Sequence, residues 1–131
     1  MNKMSIVPAL GFLLLLSAAP ASAKDGERAI VAKSGETVDV REVYGASHCK
    51  SILLAPPEVE VLKGPPELKL SIREDMVQPR NCRDKIKGGY VVATVGEVKQ
   101  ATEGKVSFRV KYKTKEGTRQ IGYVYNVSLV P

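Results

Sequence analysis

Between Val106 and Leu129 apolar and polar residues alternate with a period of two, and no other stretch of the chain restricts its fold as tightly. Val106, Phe108, Val110 and Tyr112 occupy every second position on the way out, and Ile121, Tyr123, Tyr125, Val127 and Leu129 do so on the way back. Successive side chains of a strand point to opposite faces, so this pattern makes a hairpin with one buried face and leaves no coherent face on a helix. Glu116-Gly117 supplies the turn chemistry between the two runs. A two-residue loop there pairs Tyr112 with Ile121, Val110 with Tyr123, Phe108 with Tyr125 and Val106 with Val127. A slip of one residue would set Tyr112 against Gln120 and turn every apolar side chain to the wrong face.

The same period recurs upstream. Thr37 to Tyr44 reads as a strand with Val38 and Val40 on one face, and it needs a bulge or bend before Val43 to keep the later apolar pair on that face. Ser51-Ile52-Leu53-Leu54 reads as a short buried strand. Pro56-Pro57-Glu58-Val59-Glu60-Val61 is nearly repeated by Pro65-Pro66-Glu67-Leu68-Lys69-Leu70, each copy a diproline followed by an alternating strand. Lys63-Gly64-Pro65 makes the turn between the copies. Asp75 to Gly89 is polar and reads as a long connection, Tyr90 to Val95 as the next strand, and Glu97 to Gly104 as a loop. No segment carries a clear helical period, so about seven short strands define an all-β, antiparallel sandwich.

The ending of the chain carries a resemblance. Gly88-Gly89-Tyr90-Val91-Val92-Ala93-Thr94, then Gly104-Lys105-Val106-Ser107-Phe108-Arg109-Val110-Lys111-Tyr112, then Gly117 and the alternating run to Pro131 resemble the closing strands of bacterial immunoglobulin-like and cadherin-like domains. The resemblance spans about the last 45 residues and implies an immunoglobulin-like β-sandwich. The acidic turn residues with which many members bind calcium are missing here, so it implies no calcium site.

The other end of the chain reads as an export signal. Lys3 and the amino terminus give a positive start, Ile6 to about Leu16 an apolar run, and Ala21-Ser22-Ala23 the small residues that a signal peptidase accepts. The apolar run is shorter than the roughly 20 residues of a spanning helix. The expected organisation is therefore a signal peptide over 1–23 and one domain over 24–131, with no transmembrane segment in the mature chain and a periplasmic or secreted location. Export makes a disulfide between the two cysteines, Cys49 and Cys82, the expected state. Closing a loop of that length should stabilise the fold by roughly 3–4 kcal/mol on the chain-entropy account.

Several chemistries lack their residues. The single histidine, His48, is too few for a blue-copper site, and no ligand pair has the spacing of a zinc site. No Gly-x-Ser-x-Gly elbow accompanies His48, and no glycine-rich phosphate loop occurs. Glu58 and Glu60 alternate on a short strand and read as its solvated face rather than as a catalytic pair. Neither a catalytic site, a metal site nor a cofactor is expected.

Surface charge carries the functional expectation. Lysine and arginine number 20 against 14 aspartate and glutamate, and only Lys3 of the twenty lies in the leader. Lys105, Arg109, Lys111, Lys113 and Lys115 fall on the solvent side of one strand, a cationic stripe suited to an anionic partner. Arg80, Arg83 and Lys85 make the connection around Cys82 basic as well. These features predict a non-enzymatic exported module that binds a protein or an anionic envelope component, with nucleic acid disfavoured by compartment and by the lack of interleaved aromatic residues. The alternative is a small inhibitor or chaperone-like accessory protein acting through the loop 77–87.

Overall fold

A computed structural model describes residues 28–131; the expected signal peptide over 1–23 lies outside the described residues. Nine strands follow one another without an α-helix among the described residues. They are β1 (Ala29–Lys33), β2 (Thr37–Val43), β3 (Ala46–Ser47), β4 (Lys50–Ser51), β5 (Glu58–Lys63), β6 (Leu68–Val77), β7 (Ile86–Val95), β8 (Thr102–Thr114) and β9 (Gly117–Val130). A four-stranded sheet runs β1-β9-β8-β5 and a three-stranded sheet β2-β7-β6, while β3 and β4 form a small separate hairpin. With the minor hairpin set aside, seven strands divide second-fifth-fourth against third-sixth-seventh-first, and the second to seventh keep the division of an immunoglobulin-like sandwich. The first strand lies parallel to β9, and every other pairing is antiparallel.

Alternation builds the interior. Val106, Phe108, Val110 and Tyr112 of β8 point inward beside Tyr125, Val127 and Leu129 of β9, and Ile30 and Ala32 of β1 extend that layer. Val91, Ala93 and Val95 of β7, with Val43 of β2 and Leu68 of β6, close the core from the facing sheet. Phe108 is wholly buried, its ring 5.4 Å from that of Tyr123 and 5.6 Å from that of Tyr125.

The hairpin folds two residues out of the expected register. Thr114 pairs with Gly117, so the loop is Lys115-Glu116, and Tyr112 meets Arg119, Val110 meets Ile121, Phe108 meets Tyr123 and Val106 meets Tyr125. A shift of two leaves every side chain on its face, so the hydrophobic pattern is indifferent to it. Local polar geometry decides instead. The Thr114 hydroxyl donates to the Gly117 carbonyl at 2.7 Å and accepts from the Glu116 amide at 3.1 Å, and Gly117 takes a φ of 120° that L side chains avoid.

Other differences are of extent. β1 carries no turn signal and pairs in parallel, so it escapes a hairpin-based reading. The polar segment 75–89 is strand at both ends: β6 runs to Val77 and β7 starts at Ile86, leaving 78–85 as the loop. Ser51–Leu54 is not one buried strand, since Leu53 makes only an isolated bridge to Thr114 and Leu54 is exposed. The bulge before Val43 is present, with the β2–β7 register shifting between Asp39 and Arg41. The two diproline copies head strands in different sheets, β5 and β6. Where the facing sheet is most crowded, a Cβ on Gly88 would stand 2.6 Å from the Val43 carbonyl oxygen and 2.9 Å from Val77 Cγ2.

Phe108→Ala should lower the unfolding free energy by about 3–5 kcal/mol, because the void lies between two sheets that cannot close on it. Urea unfolding followed by circular dichroism measures this, and a loss below about 1 kcal/mol would contradict the packing described.

Candidate functional site

The strand β8 places Lys105, Arg109, Lys111 and Lys113 on the solvent face of the four-stranded sheet, opposite to its buried residues. Lys115 sits in the hairpin loop. Toward β9 the partners are Asn126 for Lys105, Gly122 for Arg109, Gln120 for Lys111 and Thr118 for Lys113, none of them acidic. Toward β5 the situation reverses. Glu58 stands opposite Lys111 and Glu60 opposite Arg109, whose Nε donates to Glu60 Oε1 at 2.8 Å. Both side chains of that ion pair are about half exposed, so it contributes at most about 1 kcal/mol, but it neutralises the middle of the stripe. The signal was present in the sequence as an acid-x-acid segment matched to Arg109-x-Lys111, and only the pairing of β5 with β8 brings the two together.

The second basic group is differently placed. Cys49 and Cys82 form a disulfide with their Cα atoms 5.5 Å apart. Cys49 belongs to the turn of the β3–β4 hairpin, whose central residues His48 and Cys49 have φ of 54° and 62°. Both central residues of a two-residue hairpin turn adopt this left-handed region readily only when they are glycine, asparagine or aspartate. Across the disulfide Asn81 has a φ of 64°, so all three non-glycine residues with positive φ among the described residues gather at this bridge. At His48 and Cys49 this conformation costs of order 1–3 kcal/mol each and persists where the surroundings hold it, whereas Asn81 adopts it readily. The Cys82 amide donates to the Pro79 carbonyl at 3.2 Å, the Gln78 amide donates to the Cys82 carbonyl, and Pro79 is buried.

The bridge thus ties Lys50, next to Cys49, to the loop carrying Arg80, Arg83 and Lys85. All four are exposed, and none enters an ion pair among the described residues; Asp84 is the one acid within the loop. His48 is exposed beside them, its Nδ1 3.2 Å from the Ser47 hydroxyl. Among the described residues no three His, Cys, Asp or Glu side chains gather in a metal-binding group.

A third cluster is absent from the sequence-based expectations. The β2 bulge turns Arg41 inward, where its guanidinium carbon lies 4.1 Å from the Tyr123 ring centroid and one terminal nitrogen donates to the Tyr125 hydroxyl at 3.1 Å. Arg28 lies 5.7 Å from the same ring. Arg41 Nε is buried without a hydrogen-bond partner. A cleft of about 130 Å³ opens beside these groups, lined by Tyr44, Ile52, Tyr112, Thr114, Arg119 and Ile121 among others. Burial, and then the neighbouring Tyr123, push the Tyr112 phenol well above its ordinary range, with Arg41 pulling the other way. This arrangement joins β2 to β9, across the two sheets, through a cation–π contact and a hydrogen bond.

On the outer face of the three-stranded sheet, Arg73 reaches across β7 to Asp39 at 2.7 Å, lies 3.6 Å from Asp75 and covers the Tyr90 ring at 4.9 Å. The Arg73 guanidinium holds the Asp39 carboxyl below its usual range. Its contribution to stability is present at neutral pH and is lost as pH falls through the lowered value.

Compared with known protein families, curated proteins and solved structures, the chain matches none. What the coordinates define is a class of architecture: an all-β sandwich stapled by one disulfide, with a cationic tip at the staple.

Tyr112 generates a pH prediction. Its raised value means that the folded state holds a proton which the unfolded chain releases above about pH 10, so stability falls as pH rises past that point. Tyr112→Phe should flatten the decline of the thermal midpoint between pH 9.5 and 11 relative to the parent. Parallel curves for the two proteins would show that Tyr112 does not govern that limb.

Proposed function

We propose that this chain is an exported, non-enzymatic immunoglobulin-like module that docks on an anionic partner, either a protein or an envelope component, through the disulfide-tied tip. The observation that carries the reading is the cluster Lys50, Arg80, Arg83 and Lys85, exposed and free of ion pairs among the described residues, on loops joined by the Cys49–Cys82 bridge. Unpaired cations at one end raise local potential toward an anionic surface, and a loop fixed in advance loses little entropy on docking. The export leader expected over 1–23 supports a periplasmic or secreted location, and a structural disulfide is in keeping with an oxidising compartment. The β8 stripe ranks second as a contact surface, since Glu58 and Glu60 offset its centre and leave Lys105 and Lys113 at its two ends.

One observation favours a second reading. The left-handed residues and the bridge stiffen the segment 78–85, a property suited to an inhibitor or chaperone-like accessory protein that inserts the loop 77–87 into a cleft. The two readings differ in salt dependence, because insertion into a cleft excludes solvent and screening while docking on an open surface does not.

Retention of the protein on lipopolysaccharide and on envelope extract, measured between low and high salt, tests the proposal. Raising the salt should weaken binding at least tenfold, and the triple change Arg80→Glu, Arg83→Glu and Lys85→Glu should do the same at low salt. Reversal at Arg109, Lys111 and Lys113 should have a smaller effect, since two of the three already face glutamates. Binding indifferent to salt and to the tip substitutions would overturn the reading. Salt-resistant binding that the tip substitutions abolish would instead favour insertion into a cleft.

A further inference from the structure

The four outermost strands of the sandwich are not equally protected against pairing with another chain. The edge strand β1 has five residues, and β2 and β5 each carry a register irregularity, between Asp39 and Arg41 and between Val61 and Lys63. Short length and bulges are the usual devices that stop edge-to-edge association. The strand β6 has neither. It runs for ten residues, pairs with β7 without interruption from Leu68 to Val77, contains no proline, and has no partner on its outer edge among the described residues.

The hydrogen bonds at its end fix which backbone groups are free. The Gly96 amide donates to Glu67, one step beyond the Leu68–Val95 pair, while the Val95 amide donates away from β6 to Glu36. Antiparallel ladders alternate between bonded and non-bonded pairs, so odd-numbered residues of β6 bond to β7 and even-numbered ones direct their N–H and C=O outward. Two of those outward donors are already engaged. Leu68 donates to the Pro65 carbonyl, and the Met76 amide donates to Asp75 Oδ1 at 2.7 Å. The open donors are therefore Leu70, Ile72 and Glu74, a set symmetric about Ile72.

We infer that β6 is a homodimer interface, with a second copy of this chain pairing antiparallel about a two-fold axis at Ile72 to make a continuous six-stranded sheet. In that register Leu70 bonds Glu74 of the second copy, Ile72 bonds its own counterpart, and about six backbone hydrogen bonds cross the axis. Side chains agree on the outer face and at the centre and ends of the inner one, where Leu70 opposite Glu74 is the one mismatched pair. On the outer face Lys69 meets Asp75 of the second copy at a non-bonded position, where side chains approach most closely, and the axis repeats the pair. Ser71 meets Arg73, and the cation is not set against its own kind. On the inner face Ile72 meets Ile72 and Leu68 meets Met76, which is 46% exposed in the single chain. Val61 and Leu62 of the neighbouring β5, 41% and 53% exposed, lie along the same side of the sandwich. The alternative two-fold at Arg73 would keep a regular ladder but set arginine against arginine at a non-bonded position, where side chains approach most closely, so charge selects between the two registers.

This inference stands independently of the tip as a contact surface, and it has a consequence for it. Antiparallel pairing sends the two loops that follow Val77 in opposite directions, about 40 Å apart at 3.4 Å per residue. A dimer therefore presents two cationic tips to one extended anionic surface, and linking two weak contacts in this way raises their joint avidity by orders of magnitude.

Protein purified after expression of the full chain tests the interface by sedimentation equilibrium across micromolar to millimolar concentrations. The expected mass is that of two chains at the upper end. Asp75→Lys should weaken the association at least tenfold, and adding Lys69→Asp to it should restore the dimer, since the ion pairs reform with their signs exchanged. Glu74→Pro removes an outward N–H without touching the β7 ladder and should give a folded monomer, its circular dichroism spectrum matching that of the parent. A chain that stays monomeric throughout overturns the inference. So does a dimer that survives Glu74→Pro, or one that Asp75→Lys breaks and the exchanged pair fails to rebuild. Loss of the dimer with salt-dependent envelope binding retained would remove this interface and leave the proposed function standing.

Discussion

The inward row of β8 is the constraint on which the rest of this structure depends. Val106, Phe108 and Val110 are almost wholly inaccessible, and the Phe108 ring packs against two tyrosines of β9. Because strand side chains alternate, burying this row forces Lys105, Arg109, Lys111 and Lys113 to the outside of the same sheet. The same core requirement brings β5 alongside β8, with Val59 packed on the core opposite Val110. Glu58 and Glu60 are then carried to the outer face beside Lys111 and Arg109. Charge neutralisation on the surface is thus a by-product of hydrophobic register, and the cationic character of the stripe is lower than its strand alone suggests.

Period two is legible because it reports which side of a strand meets the core, and the interior was readable for that reason. Register is not legible in the same way. The β8–β9 hairpin can slide by two residues with every side chain keeping its face, and the choice rests on the Thr114 hydroxyl and the left-handed Gly117, features that a hydrophobic pattern does not weigh. β1 was invisible for a related reason: a parallel neighbour has no hairpin turn to announce it, and Val31 alternates with only two buried residues. Arg73-Glu74-Asp75 disguised the second half of β6, since charged residues on both faces of an edge strand read as a loop.

The candidate sites divide along the same line. Two cysteines leave one possible bridge within the chain, so the pairing of Cys49 with Cys82 was deducible. The backbone it clamps was not, because His48 and Cys49 are poor indicators of a turn with two left-handed residues. Arg41 was also hidden. The bulge was foreseeable from Val43, but its second effect, pointing the next residue inward onto Tyr123, depends on where in β2 the extra residue falls.

The tip lies beyond the reach of the main core. Val77 and Ile86 are buried at its stem yet belong to no part of the central cluster, so the loop 78–85 is held by this small apolar footing, by buried Pro79, by two hydrogen bonds to Cys82 and by the bridge. A segment with little buried apolar area opens at low cost unless something covalent prevents it. The disulfide supplies that restraint where packing cannot, and it does so beside two residues, His48 and Cys49, held in a left-handed conformation that their side chains disfavour. Strain maintained by a cross-link rather than by a core is localised strain: it fixes the geometry of the cationic tip without being propagated into the sheets. The arrangement separates the part of the molecule that is stable because it is apolar from the part that is ordered because it is tied, and the second carries Lys50, Arg80, Arg83 and Lys85.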